Sequence, residues 1–288
     1  MKTLLRGVVF AVLAAGLWLL YRETLGVDPA QREQIAFILN DLRQIDAQWD
    51  VHVLRSKTGL DKNYDPLTRP QVAALQVLES SGGKLAAVDY RLSDSEAKLK
   101  EALLAKIDLV DRFKAQNAIL RNSLRFVPLA AEDLKTKARE AGDATPAKRA
   151  EMAALVESVD QVLIDTLKLE TARDAELNGN LRRRVTKLVE RRGDYPKALG
   201  ESFDIFLNHV ATISAQKERE DELLEQLGRV ALAERIEAVD RGFMSAFDRL
   251  LGKRDSYRLM LYVYVGFLLA LVAFMLGRGS RPDASPAG

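Results

Sequence analysis

Four side chains that could bind a ligand share one face of the first long helix predicted from the sequence. Asp46, Trp49, His52 and Ser56 recur in steps of three and four, just before Gly59. One hypothesis is a pocket floor, in which an aromatic platform beside a carboxylate binds a small polar or cationic ligand. The alternative is a bundle seam in which a buried polar pair fixes helix register. The residue types and spacing leave both interpretations open.

A second polar group is predicted on a later helix. Asn117 and Arg121 are one turn apart, and Asn122 follows them. An asparagine in a heptad core position more often sets register than contacts a ligand. Arg121 could hold a ligand carboxylate through two hydrogen bonds, or it could pair with Asp46 or Asp65 inside the domain. These three residues are therefore candidate ligand contacts with a structural alternative.

The segment RSKTGLDKNYDPLTRP, residues 55–70, interrupts the helical pattern. It contains four residues that favour a break: Gly59, Asn63, Pro66 and Pro70. The sequence NYDP can cap and turn the chain through side-chain hydrogen bonds, so a corner accounts for the Asx and proline residues. It does not account for Arg55 and Tyr64. We predict these two residues as a lid or anchor beside the pocket and include Asn63 as a ligand contact.

The sequence does not favour catalysis, metal binding or nucleic-acid binding. The two histidines, His52 and His209, are far apart in the chain, and there is no metal-binding histidine pair, phosphate loop or nucleophile elbow. Cysteine is absent, and 43 Lys+Arg against 41 Asp+Glu give no basic field for nucleic acid. The basic run at 182–184 is interpreted as a solvated helix face. We predict no catalytic residue, no metal site, no cofactor and no nucleic-acid partner.

Helical periodicity dominates residues 28–256, and convincing alternating strands are absent, so the predicted class is all-α. The first long helix starts with Asp28 as its N-cap and stops at Gly59. A second long helix starts at Ser93, and Pro128 is predicted to end its region. Further bundle helices follow up to a break at Gly193 and Pro196.

Two apolar stretches predict membrane helices. Residues 259–277, LMLYVYVGFLLALVAFMLG, carry no charge and are long enough to cross the roughly 30 Å hydrocarbon layer. A helix that begins near Ala231 would run into this span without a breaker. Residues 7–21, GVVFAVLAAGLWLLY, fit either a cleaved signal peptide or an anchor. The anchor is favoured, because Trp18 and Tyr21 suit a membrane interface and the nearest cleavage-like triplet would leave an apolar terminus.

The charges beside these stretches predict a two-pass topology. If Lys2 and Arg6 lie in the cytoplasm, the first span places the central domain outside the membrane. The second span then places Arg278 and Arg281 in the cytoplasm. The predicted divisions are an N-terminal stub and span at 1–24, an extracytoplasmic domain at 25–256, a second span at 257–278 and a cytoplasmic tail at 279–288.

Five sequence blocks occur in order along nearly the whole chain: D-x-x-W at 46–49, VLRSKTGLDKNYDPL at 53–67, FKAQNAILRNSLRFVP at 113–128, LNHVATISAQKEREDELL at 207–224 and DSYRLMLYVYV at 255–265. Together they resemble the DAHL (double all-helical ligand-binding) domain, which lies outside the membrane in bacterial sensor histidine kinases. The resemblance implies two stacked helical-bundle modules, flanked by N- and C-terminal transmembrane helices, that pass a signal to the cytoplasm.

The sequence ends shortly after the second span, without a phospho-acceptor helix or an ATP-binding domain. We therefore expect no kinase activity on this chain, and the lack of catalytic motifs predicts no other enzyme activity. Its output is expected to come from a separate histidine kinase or another cytoplasmic signalling protein, or the sequence is a sensor half of a longer gene. Analogy with sensors of this type favours a homodimer.

These observations predict a two-pass sensor of a bacterial inner membrane. Its periplasmic domain is expected to bind a small molecule or a periplasmic protein. The alternative from another class is a structural or adaptor protein, a helical membrane bundle that scaffolds an envelope complex and binds no small molecule.

Overall fold

The computed structural model describes residues 2–25, 29–81, 84–89, 92–171 and 175–279, and within them the chain is all-α without strands. This confirms the predicted class. The predicted N-cap Asp28, Arg281 and the predicted tail from 280 onward lie outside the described residues. The described helices are α1 (Lys2–Thr24), α2 (Pro29–Lys57), α3 (Asp65–Ser81), α4 (Lys84–Val88), α5 (Leu92–Gly142), α6 (Pro146–Thr171), α7 (Ala175–Glu190), two 3-10 turns (Arg191–Asp194 and Lys197–Leu199), α8 (Gly200–Arg229) and α9 (Leu232–Gly279).

The predicted ends of the first long helix are confirmed. Helix α2 begins at Pro29, where the missing N–H of proline costs nothing because the first turn has no intrahelical partner for it. The helix ends at Lys57, and Gly59 adopts a left-handed φ of 71°. A residue with a Cβ would be strained in that conformation, which is why a glycine ends the helix here.

The break after α2 is shorter than the prolines suggested, because the corner comprises only residues 58–64. Helix α3 begins at Asp65 and contains both Pro66, in its first turn, and Pro70. Neither α3 nor the short α4 was predicted from the sequence. The side chains of Leu67 and Ala74 are completely buried, and this apolar face holds the helix despite the hydrogen bond that Pro70 cannot donate.

The prediction that Pro128 ends its helix is wrong. Helix α5 runs through it for 51 residues. Val127, Ala131 and Leu134 on either side of Pro128 are completely buried, so the apolar face continues past the proline. Burial of that face outweighs the loss of one backbone hydrogen bond.

The chain divides into two compact units. Unit 1 comprises Met1–Gln44, Ala74–Lys100 and Ala233–Gly288, and unit 2 comprises Ile45–Ala73 and Glu101–Leu232. The core of unit 1 is apolar and draws on α2, the start of α5 and α9; its buried side chains include Ile35, Leu39, Leu99, Val239 and Phe243.

Helix α9 is the long C-terminal helix that the sequence predicts. It spans 48 residues, with buried side chains in its first half and exposed apolar side chains beyond Tyr257. Among the residues whose placement is described, one helical region, Lys197–Phe274, contains an 18-residue window apolar enough to cross a membrane, with a mean hydropathy of 1.9. None of that window is buried within the protein.

Helix α1 packs against the apolar half of α9. The Tyr264 hydroxyl donates a hydrogen bond to the carbonyl oxygen of Leu13 at 3.1 Å. A Cβ added at Gly16 would lie 3.1 Å from the same hydroxyl oxygen. The glycine therefore permits the close approach that the hydrogen bond requires.

Unit 2 contains a four-helix bundle made from the second half of α5, α6, α7 and the first half of α8. One continuous apolar cluster joins these four helices; its buried members include Leu134 on α5, Val159 on α6, Leu181 on α7 and Phe206 on α8. Heptad-like spacing of these residues along each helix forms the core as predicted.

We expect Pro128→Ala to stabilise the protein. Alanine restores a donor for the carbonyl oxygen one turn earlier, and the exposed proline ring contributes little packing. The gain in free energy of unfolding should be about 1–3 kcal/mol, since the greater freedom of the unfolded chain offsets part of it. Denaturant unfolding of the detergent-solubilised chain measures this change.

The matched control is Pro146→Ala at the first position of α6, where the proline N–H would have no intrahelical partner. It should give no gain. An equal gain from both substitutions would contradict the explanation given for Pro128.

Candidate functional site

Buried and partly buried polar side chains from the corner, α5 and α8 form a chain of hydrogen bonds inside unit 2. The Tyr64 hydroxyl donates to Asn117 Oδ1 at 2.7 Å, and Asn117 Nδ2 donates to Glu220 Oε1 at 2.7 Å. Lys217 Nζ lies 3.4 Å from Glu220 Oε2 and 3.2 Å from Asp221 Oδ1. We call these five residues the polar centre. Asn117 and Glu220 are almost completely buried.

The polar centre is adjacent to the apolar cluster of the four-helix bundle on two helices. On α5, Asn117 precedes Leu120, the first cluster residue of that helix; on α8, Lys217 follows Ile213, the last. Buried charges are tolerated only when their partners remain in place, because desolvation of a single ion costs several kcal/mol. The polar centre therefore links the corner, α5 and α8 through contacts that are expensive to separate.

A second group of contacts surrounds Asp61 in the corner. His52 Nδ1 lies 3.0 Å from Asp61 Oδ2, and Arg55 Nε donates to Asp61 Oδ1 at 2.8 Å. Arg121 Nη1 donates to the backbone oxygen of Asp61 at 3.0 Å. The hydrogen bond with His52, followed by that with Arg55, holds the pKa of Asp61 below its ordinary value, although burial acts in the opposite direction. We call His52, Arg55, Asp61 and Arg121 the Asp61 cluster.

Tyr64 belongs to the polar centre and lies near Arg121 of the Asp61 cluster. Burial raises the pKa of its hydroxyl, and the nearby Arg121 guanidinium offsets part of that rise. The hydroxyl therefore stays protonated at neutral pH and donates to Asn117. Arg121 was predicted to pair with Asp46 or Asp65 if it has a partner inside the domain. In the structure it donates to the backbone oxygen of Asp61.

Asp46 instead pairs with a lysine on α5. The buried Lys106 ammonium donates to Asp46 and also to Asp50 Oδ1 at 2.8 Å. Trp49 is completely buried, and its indole Nε1 donates to the carbonyl oxygen of Leu67 at 3.0 Å. In this conformation the tryptophan ring is therefore a core side chain, and neither face is open as a platform for a ligand.

The structure brings together five of the nine predicted site residues: His52, Arg55, Tyr64, Asn117 and Arg121. Asp46 and Trp49 have the core partners just described. Asn63 is exposed in the corner, where its Oδ1 accepts a hydrogen bond from the Asp65 backbone at 3.3 Å, as the predicted Asx cap does. Asn122 lies on the exposed face of α5, away from Asn117.

The participants that were not predicted are Asp50, Asp61, Lys106, Lys217, Glu220 and Asp221. A signal for two of them was present in α8. Its buried row Phe206, Val210 and Ile213 continues in steps of four and three to Lys217 and Glu220. Charged residues that continue an apolar row predict a buried ion pair. Burial of this row was predicted only as far as Ile213.

Three buried polar atoms beside these groups have no hydrogen-bond partner within the described residues: Ser56 Oγ, Gln116 Oε1 and Gln216 Oε1. Gln116 and Gln216 are the chain neighbours of Asn117 and Lys217, and Ser56 follows Arg55. Such groups are rare in native interiors, because each costs about 1–3 kcal/mol. Among the described residues, no group of three or more acidic or histidine side chains could hold a metal ion.

Two surface clefts of about 380 and 390 Å³ lie elsewhere in unit 2. One is lined by residues of α6 and α7 with Tyr195, and the other by residues between Arg192 and Phe203. Neither contains a predicted site residue. The basic run contributes Arg184 to the first cleft, but Arg184 pairs with Asp165 at 3.0 Å and Arg182 with Glu218 at 2.8 Å. These pairs fit the interpretation of the run as a solvated helix face.

The family model of the DAHL domain matches residues 27–258, which is most of the chain. The chain belongs to the DAHL domain family. No curated protein and no solved structure is significantly similar to it.

The match confirms the family that the five sequence blocks indicated. DAHL domains are helical sensor domains, and no enzyme family is indicated for this chain. The polar centre and the Asp61 cluster both lie within the matched DAHL region, as do Asp46 and Trp49.

We expect Asn117→Ala to destabilise this DAHL domain. The substitution removes the acceptor of Tyr64 and the donor to the buried Glu220 carboxylate, so two polar groups lose their partner. The loss in free energy of unfolding should be about 2–4 kcal/mol. The matched control is Asn208→Ala, an exposed asparagine of α8, for which the change should stay within about 0.5 kcal/mol. Equal effects would show that the polar centre does not hold the helices together.

Proposed function

We propose that this DAHL protein is a two-pass sensor of a bacterial inner membrane. In this proposal its extracytoplasmic helical domain binds a small molecule that carries a carboxylate, at the Asp61 cluster. Binding alters the polar centre and thereby signals to a cytoplasmic partner. The observation that carries the proposal is the buried hydrogen-bond chain from Tyr64 to Glu220, which couples a surface-accessible cluster to two long helices of a sensor domain.

The Asp61 cluster offers cations that a ligand can reach. The Arg55 side chain is 48% exposed, whereas its partner Asp61 is 6% exposed. A ligand carboxylate can replace Asp61 on Arg55 with the same charge-assisted geometry. Ser56, Gln116 and Gln216 are chain neighbours of Arg55, Asn117 and Lys217, and a ligand that reached their unpaired atoms would gain affinity.

A change at Asp61 would reach α8 through Tyr64 and Asn117. Helix α8 is followed after Val230 by α9, which continues from buried residues into its apolar half without a break. A ligand can shift the equilibrium between two packing arrangements of these helices only by as much as its affinity differs between them. A tenfold preference for one packing corresponds to about 1.4 kcal/mol.

Two observations in unit 1 support the two-pass topology. The apolar window of α9 is exposed, as a lipid-facing helix would be. Helix α1 packs on α9 at Gly16, with the Tyr264 hydrogen bond, which suits a pair of membrane helices better than a cleaved leader.

The structural or adaptor function remains the second candidate, because specific contacts favour it. Trp49 is fully buried, and Asp46, Tyr64, Asn117 and Arg121 each have a partner inside the chain. In that function these polar contacts set only the register of the helices.

Ligand-induced stabilisation separates the two candidates. A screen of small carboxylates by thermal unfolding of the solubilised chain should find a ligand that stabilises it by about 2.7 kcal/mol at 100 times its dissociation constant. Arg55→Gln and Arg121→Gln should abolish this shift while the proteins remain folded. Arg112→Gln, an exposed arginine of α5 outside the cluster, is the matched control and should retain it. A shift that survives in all three variants would place the ligand elsewhere, and a screen without hits would favour the adaptor.

The relay can be tested with the same ligand. Pairs of cysteines placed in α1 and in the apolar half of α9 should crosslink at a different rate when ligand is bound. Unchanged rates under conditions that alter output would exclude movement of α9 as the signal.

The topology predicts that a cysteine at the exposed position 153 of α6 reacts from outside the membrane. The chain contains no natural cysteine, so Ala153→Cys provides a unique label. A membrane-impermeant maleimide should modify it in intact spheroplasts as completely as in lysed ones. Labelling only after lysis would place the helical domain in the cytoplasm and refute the topology.

A further inference from the structure

Helix α5 carries an exposed row of residues with coiled-coil spacing. Ala115, Ile119, Asn122, Phe126 and Leu129 follow one another in steps of four, three, four and three, and all five side chains are exposed. Ile119 is 45% exposed, Phe126 39% and Leu129 64%. This repeat places the five side chains on one stripe, as the core positions of a heptad do. We call this row the α5 seam.

Helix α8 widens the apolar surface beside the α5 seam. The Phe126 ring stacks on the His209 ring, with centroids 6.2 Å apart and planes inclined by 23°. Ile205, one turn before His209, is 45% exposed. Contiguous exposed apolar groups of this kind on a soluble domain usually mark a protein contact.

The composition of the α5 seam suits pairing with itself. Asn122 stands in the middle, and an amide both donates and accepts hydrogen bonds, so it can pair with the same residue of another copy. A single buried asparagine in such a seam also fixes register and limits the number of helices that associate. No charged residue occurs at the five seam positions, so a twofold axis brings no like charges together there.

Charges define the ends of the α5 seam. Arg112 and Asp133 continue the seven-residue spacing from Ile119 and Phe126, and both are exposed. Across a twofold axis each would meet its own like charge. Both have partners on the chain, Asp108 at 3.7 Å for Arg112 and Lys137 at 3.0 Å for Asp133. The self-complementary surface is thus confined to residues 115–129.

We propose that the α5 seam is the contact between two copies of this chain, with Asn122 paired to Asn122 of the second copy across a twofold axis. A seam of residues 115–129 is short for an independent coiled coil. Anchorage of both copies in one membrane raises their effective concentration and compensates for this length. The contact is separate from the proposed ligand site, so its failure would leave that proposal unaffected.

Disulfide crosslinking of the full chain in its membrane tests this contact. Asn122→Cys should form a covalent dimer under mild oxidation, because a twofold axis at this position brings the two Cβ atoms within disulfide reach. Its rate should be at least about tenfold that of Ala153→Cys, an exposed position on α6 where only random encounters occur. Both variants should keep the helical circular-dichroism spectrum of the parent chain.

A second pair of substitutions checks that the seam itself drives the contact. Ile119→Glu with Leu129→Glu, added to Asn122→Cys, should reduce crosslinking to the rate of Ala153→Cys, because the glutamates place like charges across the axis. Equal rates for the two single cysteines, or crosslinking that survives the glutamates, would overturn the proposal. A covalent product whose mass includes a different protein would also overturn it.

Discussion

The buried side-chain amide of Asn117 connects helices of unit 2 at the point where the apolar cluster ends. Asn117 accepts from Tyr64 and donates to Glu220, and so it joins the corner of the chain to α5 and α8. Apolar side chains can shift against each other with little loss of free energy. A buried carboxylate that loses its hydrogen-bond donor, in contrast, destabilises the fold by its whole desolvation free energy. Any displacement of the corner must therefore move α8 with it or break this chain.

The Asp61 cluster lies next to this hydrogen-bond chain in the corner and is partly exposed to solvent. Arg55 and His52 are partly exposed, whereas the groups behind Tyr64 are buried. A buried polar arrangement that solvent reaches from one side suits a sensor, because a change at its exposed end alters contacts in its buried part. The membership of the chain in the DAHL family gives this arrangement a biological context.

The extent to which the sequence predicted these features differs among residues. The ends of α2, the length of α9 and the buried rows of α5 and α8 follow from periodicity and from Gly59, and they were predicted. Pro128 and Pro70 misled because their local preference is weaker than the burial of Val127 and Leu67 beside them. Lys106 was missed because its partner Asp46 is 60 residues away in sequence, so spacing along one helix does not reveal the pair. Asp61 lies in the corner, outside any helical row, and Glu220 continues the apolar row of α8, which was predicted only as far as Ile213.

The helical class, the family and the candidate residues around the corner follow from the amino-acid sequence alone, because they depend on local periodicity and on short blocks. Which of the candidates share a site depends on how the helices pack. This packing placed Trp49 in the core, assigned Lys106 to Asp46, joined Arg121 to Asp61 and left Asn122 exposed. The reason is physical: side chains one turn apart on a helix can face a buried partner or solvent, and only the packing of the neighbouring helices selects between them.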